Sequence, residues 1–266
     1  MSDLFTAHKT LRAGVVRVEA QLVDFAFPAH SHDHLCVGLV RDGEHDCRYG
    51  LRRHVVTKGD LMLVNPGEVH DGKPSGGCGR RYSMLEIDHS AWRAMCVEML
   101  GTEAFEFERA VVRHPEARRA LAGWLASLSE GDVVAERDAA ATLCGTFSRT
   151  AGREPTRREA STLATRISTR MRERTEETDS LGAFSAEFGI SRFQLVRAFK
   201  QAFGLTPEDF RRQLRLERAR TLLTEPQSHA LSDIAASAGF SDQSHMTREF
   251  RRMLGLSPGA YRRALK

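Results

Sequence analysis

Four histidines are the first residues whose type and spacing could do chemistry. His30, His32 and His34, in PAHSHDHLC, alternate with other residues. On one β-strand all three imidazoles would leave the same face, with Cys36 continuing the row. His70, in GDLMLVNPGEVHDG, follows a Pro-Gly turn farther along. Imidazoles gathered in this way can hydrogen-bond a small polar molecule or ligate a divalent ion such as Zn, Fe, Ni or Cu. A second set lies toward the C-terminus: Arg192, Phe193, Gln194, Val196, Arg197 and Lys200 follow Ser191, and Gln243, Ser244, His245, Arg248 and Arg251 follow Ser241 and Asp242. Guanidinium, amide and hydroxyl groups at the start of a helix suit hydrogen bonding to base edges, and further cations suit phosphates.

The elements that must position these groups can be read from periodicity. Between about residues 13 and 87, GVVRVEA, LVDFAF, HLCVGLV, DLMLVNP and RRYSMLEI are short alternating runs, separated by turn signals at Asp42-Gly43, Lys58-Gly59-Asp60 and Pro66-Gly67. This predicts an antiparallel β-sandwich or barrel, with Glu44, His45, Arg48, Tyr82 and Glu86 as further candidates for its interior. From Ser90 the period becomes helical through Trp92, Met95, Cys96, Met99 and Leu100. Two amphipathic segments, 115–129 and 133–149, meet across Glu130-Gly131-Asp132 and predict an antiparallel helical pair. Trp124 and Phe147 give that pair apolar surface for a homodimer contact. Gly, Pro and charge in 151–159 mark a linker, dividing the chain into domains 1–150 and 160–266.

With 266 residues, 41% hydrophobic and 28% charged, the chain has the composition of an ordinary globular protein of two domains. No apolar run is long enough to span a membrane, and the N-terminus lacks the pattern of a signal peptide; the expected compartment is the cytoplasm. Five cysteines (Cys36, Cys47, Cys78, Cys96, Cys144), odd in number and without a Cys-x-x-Cys pair, argue against a disulfide framework or a zinc ribbon. Residues 157–266 hold 20 Lys+Arg against 13 Asp+Glu, whereas 1–156 hold 19 against 22. A basic C-terminal domain suits a nucleic-acid partner.

That domain contains a repeat. Ser180–Gly204, SLGAFSAEFGISRFQLVRAFKQAFG, and Leu231–Gly255, LSDIAASAGFSDQSHMTREFRRMLG, each read as helix, glycine turn, helix. Gly189 and Gly239 stand where the chain reverses, Ala186 and Ala236 where helices would cross, and Ser191, Ser241 or Asp242 where a second helix needs a cap. Pro207 opens a connecting helix carrying Phe210, Leu214, Leu216, Ala219, Leu222 and Leu223. The stretches FGISRFQLVRAFKQAFGLTPEDFRRQLRLERARTLL and IAASAGFSDQSHMTREFRRMLGLSPGAYRR resemble the AraC family signature, over about residues 160 to 264. The resemblance implies an all-α domain with helix-turn-helix units at 180–203 and 231–253 that binds a double-stranded DNA operator. It places base reading on Phe193, Val196 and Arg197 and on Gln243, Ser244, His245 and Arg248. Arg192, Lys200, Arg251 and Arg252 fall at phosphate positions, and Val196 replaces the polar residue usual at its place.

The HSHDHLC and NPGEVHDG stretches resemble the two motifs of the cupin barrel, which serves AraC-family regulators as a sensory domain. The whole chain therefore reads as α+β in two domains: a cupin-like barrel with an appended helical pair, then the double helix-turn-helix. The function expected is a transcription regulator, an activator acting with RNA polymerase, controlled by a small-molecule effector at His30, His32, His34 and His70. No cofactor is expected; were a divalent metal present, His30, His32 and His70 would hold it, although the Glu of the metal-binding cupin motif is missing, with Cys36 and Val37 near its place. The competing reading is a metal-dependent cupin enzyme fused to a DNA-binding domain.

Overall fold

The computed structural model describes residues 3–10, 12–50, 52–150, 152–153, 163–175, 180–225 and 229–264. The N-terminal half is an eight-stranded antiparallel sheet bent over on itself. Its spine is a ribbon of two long strands, β4 (His34–Tyr49) and β7 (His70–Asp88), paired from His34↔Asp88 to Tyr49↔His70. Where the ribbon bends, the backbones of Gly43 and Gly79 come so close that a Cβ on Gly43 would stand 2.1 Å from the Gly79 carbonyl oxygen. The bend divides the sheet. Beyond it β3 (Phe27–His30) and β5 (Arg52–Thr57) flank the ribbon; before it lie β1 (Leu4–Lys9), β2 (Val15–Leu22), β6 (Leu61–Val64) and β9 (Val111–Val112). The run LVDFAF is not one strand, because β2 ends at Leu22 and β3 begins only at Phe27.

Alternation assigns the two faces. Leu35, Val37, Leu39, Leu61, Leu63, Leu85 and Ile87 pack outward against α1 (His89–Leu100), α2 (Pro115–Glu130) and α3 (Val133–Thr150). Trp124 and Phe147 are fully buried in that layer, so they cover the barrel and cannot form a dimer face. The inward face carries Cys36, Val40, Met62, Val64 and Tyr82. Gly152–Arg153, read as the start of a linker, forms a two-residue strand β10 paired with β8 (Glu106–Phe107). Residue 151 and residues 154–162, which hold the rest of that linker, lie outside the described residues.

The C-terminal half is helical: α4 (Leu163–Glu173), α5 (Leu181–Glu187), α6 (Arg192–Phe203), α7 (Pro207–Thr224), α8 (Leu231–Ser237), α9 (Gln243–Leu254) and α10 (Pro258–Ala264). Caps define the starts: Ser180, Ser191, Thr206 and Asp242 each accept from a backbone N–H three residues on. Gly189 and Gly239 take left-handed φ of 64° and 81° between paired helices. The small residues buried where the helices cross are Ser185 and Ala235; Ala186 and Ala236, one position later, are exposed. Helix α7 serves both units. Phe210 and Leu214 pack with Leu195 and Phe199 of the first, and Leu216, Ala219 and Leu223 pack with Ile234, Met246 and Phe250 of the second.

Candidate ligand cavity and nucleic-acid interface

The open mouth of the bent sheet is closed by the C-terminal domain. Side chains of α7 and α9, namely Gln213, Leu216, Glu217, Arg220, Met253 and Leu254, complete a cavity with about 100 Å³ of free space whose remaining walls come from the sheet. The lid is fastened by polar contacts. Gln213 accepts from the Ser31 N–H (3.1 Å) and donates to the Ala29 carbonyl (3.3 Å). Arg220 donates to Glu86 of β7, and within its own domain to Glu217 (3.2 Å) and the Tyr261 hydroxyl (3.1 Å). Burial opposes the charge of Arg220, but Glu86, Tyr261 and Glu217 together hold its pKa well above the ordinary value. At the rim Arg172 pairs with Asp33 at 3.2 Å.

The histidines do not lie on one continuous strand. His30 ends β3, His32 lies in the break that follows, and His34 begins β4. The β3–β7 pairing sets His30 directly opposite His70, and ligand nitrogens of His30, His32 and His70 all lie within 4.8 Å of one another on the cavity wall. His34, expected to join them, is not among the cavity-lining residues. It stacks on His32 with ring centroids 3.8 Å apart and faces Glu86 (3.7 Å) and Glu217 (3.8 Å) at the domain junction. It keeps the inward face of Cys36, the ligand atoms of His32, His34 and Cys36 lying within 4.8 Å of one another, but at the very start of β4 that face meets the domain junction and not the cavity.

Nδ1 of His30, His32 and His70 lies 2.8, 2.8 and 3.0 Å from the carbonyl oxygens of Pro28, His34 and Glu68. A carbonyl only accepts, so each Nδ1 carries the proton. Burial pushes all three pKa values down, opposed only in part by those carbonyl bonds. The rings are then neutral, with the Nε2 lone pairs of His30 and His70 unclaimed among the described residues, while the Cys36 thiol sits 3.6 Å from Nε2 of His32. Neutral imidazoles fixed through Nδ1 fit the requirements of a divalent transition-metal ligand set.

Four residues of β7, Arg80, Tyr82, Met84 and Glu86, alternate along its inward face and all reach the cavity, as do His45, Cys47 and Tyr49 of β4. Glu44 is instead bonded by the Ser75 hydroxyl, and Arg48 pairs with Asp71 at 3.3 Å. Sequence reasoning missed Arg80, Gln213, Glu217 and Arg220. The period of two that selected Tyr82 and Glu86 also selects Arg80; the α7 residues carry no such local signal.

Away from the cavity residues, α6 and α9 present their N-terminal turns to solvent. Phe193 is 74% exposed, an unusual display for a large aromatic. Arg192, Arg197, Lys200, Arg248 and Arg251 are exposed and form no salt bridge among the described residues, whereas Arg252 pairs with Glu249. Gln243 and Ser244 are exposed and His245 half-buried, its Nδ1 3.1 Å from the Ser241 hydroxyl; Val196 is half-buried. Gln194 is already engaged: its side chain accepts from the Ser191 N–H at 2.8 Å, closing a capping box.

Comparisons with known proteins agree with this division. A model of the AraC-like ligand binding domain matches residues 12–143, and a model of a helix-turn-helix domain matches 184–264. The chain is 26% identical over 231 residues to the uncharacterized HTH-type transcriptional regulator YbfI of Bacillus subtilis, covering 83% of this chain and 81% of YbfI. It is 41% identical over 76 residues to the HTH-type transcriptional activator RhaS of Escherichia coli, covering 29% of this chain and 27% of RhaS. ToxT of Vibrio cholerae shares the fold, with a TM-score of 0.63 at 13% identity, covering 100% of this chain and 98% of ToxT.

Proposed function

The chain belongs to the AraC family of DNA-binding transcription regulators, with a ligand-binding domain ahead of its helix-turn-helix domain, and from that premise we propose that a small molecule in the cavity controls operator binding by acting directly on α7. The observation that carries this reading is that α7 is both the lid of the cavity and the rod between the two helix-turn-helix units. At 18 residues the rod is about 27 Å long at 1.5 Å per residue. A ligand that fits one placement of Gln213, Leu216, Glu217 and Arg220 better than another must shift the population of that placement by its difference in affinity.

In this reading α6 and α9 enter successive major-groove segments. Phe193, Val196 and Arg197, then Gln243, Ser244, His245 and Arg248, meet base edges; Arg192, Lys200 and Arg251 meet phosphates. RhaS is named an activator, and we assign the same sense, exerted through RNA polymerase in the cytoplasm, to this chain. No described helix is long and apolar enough to cross a membrane. Val97, Val133 and Val134, 61–71% exposed on the helical layer, are the surface we assign to homodimer contact in place of Trp124 and Phe147; sedimentation of the intact chain tests it, and a monomer at high micromolar concentration ends it.

ToxT has been solved with an unsaturated fatty acid bound. The cavity here, about 100 Å³, is smaller than the roughly 150 Å³ that holds a benzene, which favours a compact occupant. Should a divalent metal bind, His30, His32 and His70 would hold it through Nε2, and it would supply a Lewis-acidic contact for a polar group of the effector. The test of the main reading is operator affinity with and without compounds that raise the melting temperature of the full chain. A tenfold or larger change is expected; ligands that stabilise the fold yet leave affinity within twofold would refute it.

A further inference from the structure

Two basic residues in the cavity are treated very differently by their surroundings. Arg220 is surrounded by carboxylates, but Arg80 is not. Its side chain enters from β7 and is 4% exposed. Nη2 has long bonds to the carbonyls of Gly72 (3.3 Å) and Phe25 (3.5 Å), and the guanidinium lies 5.5 Å from the Phe27 ring centroid. Nη1 has no hydrogen-bond partner, and Arg80 forms no salt bridge among the described residues. A second polar atom on the same wall is also unsatisfied: Nδ1 of His45, a residue that is itself 4% exposed. Buried guanidinium groups are ordinarily paired, because an uncompensated charge away from water is strongly unfavourable. Both residues line one cavity, whose other walls include Met62, Val64, Tyr82 and Met84.

We propose that Arg80 is the anchor for an anionic effector, a compact monocarboxylate whose oxygens accept from Nη1 of Arg80 and from Nδ1–H of His45 while its apolar part rests on Met62, Val64 and Met84. The inference rests on the reading that this cavity is the effector site. Charge selects the class. Burial keeps His45 neutral down to about 3, so one guanidinium must be balanced and a single negative charge balances it. A carboxylate also matches guanidinium geometry, which makes the contact short and directional. Phosphate, with nearly two charges, would be left over-anionic beside Glu86.

The experiment is a melting series on the full chain with acetate, propionate and butyrate at 20 mM. Propionamide, butyramide and inorganic phosphate serve as comparators, with chloride holding ionic strength constant. At least one acid is expected to raise Tm by about 2 to 5 °C, as binding near tenfold saturation would for a chain of this size, and the amides and phosphate are expected to do nothing. In Arg80→Met that shift should vanish, and the variant without ligand should melt at or above the wild type, because an unpaired buried charge has gone. The proposal is overturned if no acid stabilises, if amide or phosphate does as well, if Arg80→Met keeps the response, or if Arg80→Met alone melts several degrees lower. A carboxylate that binds through Arg80 without changing operator affinity would leave the anion site standing and remove effector control. A neutral compound that changes operator affinity equally in both proteins would do the reverse.

Discussion

Replacing Arg220 by methionine removes the cation that joins Glu86 of the barrel to Glu217 and Tyr261 of the helical domain. The three charged side chains are 10%, 14% and 29% exposed for Arg220, Glu86 and Glu217, so the carboxylate left on β7 stays out of water while the domains are docked. Removing one partner of a buried pair costs about 3 to 5 kcal/mol. At about 1.4 kcal/mol per decade that is a ~150- to ~5000-fold loss in the docking equilibrium, which separation of the domains relieves by letting Glu86 meet water. Urea denaturation followed by tryptophan fluorescence and by far-UV circular dichroism provides the assay, because Trp92 and Trp124 both lie in the N-terminal layer. The wild type should lose both signals together, and Arg220→Met should split them, with operator affinity no longer answering to cavity ligands. Glu86→Gln in the same chain removes the stranded charge and should restore at least about 2 kcal/mol through coupling of contacting sites. A single unsplit transition at the wild-type midpoint in Arg220→Met would show that this pair does not hold the lid.

Three other outcomes are expected. Burial, with Arg80 beside it, lowers the His45 pKa from 6.5 to about 3, against weaker opposing fields from Asp46 and Asp60. Since the folded value lies below the unfolded one, the stability is present above pH 6.5 and is lost as pH falls toward 3; by pH 5 this residue alone should cost about 2 kcal/mol, and His45→Asn should lose correspondingly less between pH 7 and 5, with equal losses counting against the assignment. Gly239→Ala should destabilise more than Gly189→Ala, because beyond the roughly 1–2 kcal/mol left-handed penalty common to both its Cβ would meet the Thr175 carbonyl at 3.1 Å, whereas nothing lies within 4 Å at Gly189; equal urea midpoints would contradict this. In base-by-base operator selection, Arg197→Ala and Arg248→Ala should each relax different positions by about 1–3 kcal/mol, and Lys200→Ala should weaken all sequences and reduce the salt slope by about one; changes by both arginine variants at the same base pairs would defeat the two-groove reading.

What could be read from the chain before its structure was whatever rests on local chemistry. Ser191 and Asp242 cap because a free first-turn amide lies within reach of any side-chain oxygen at that offset, and Gly189 and Gly239 turn because few other residues take positive φ. Of the long ribbon strands only the pieces HLCVGLV and RRYSMLEI were legible as alternation; the turn expected at Asp42-Gly43 is instead the bend inside the continuous strand β4. His34 keeps the inward face its spacing implies, but whether that end of the face lies in the cavity or at the domain junction depends on where α7 settles, which no residue of HSHDH announces. Trp124 and Phe147 were correctly seen as an apolar stripe, but a stripe does not say whether a sheet or a second subunit lies against it. The helix-crossing residue was read one position late in each unit, at Ala186 and Ala236, within the usual error of a boundary placed from pattern alone. Gln213, Glu217 and Arg220 were invisible for a different reason: on a helix already supplied with an apolar stripe, polar residues read as a solvated face, and only the tertiary fold turns that face toward the sheet.

Helix α7 has consequences for how such a chain can be altered by recombination. A sensor and a reader joined by a passive tether could be exchanged like cassettes, each keeping its own behaviour. Here the reader's central helix supplies a wall of the sensor's chamber, with Gln213 on the carbonyl of Ala29 and Arg220 on Glu86. A barrel grafted from another regulator would meet the wrong wall, so a chimera cut near residue 155 should still bind its operator yet ignore the donor's ligand until the barrel-facing residues of α7 are transplanted with the barrel. Inheritance of ligand response should thus follow positions 213, 216, 217 and 220 as closely as it follows the N-terminal domain itself.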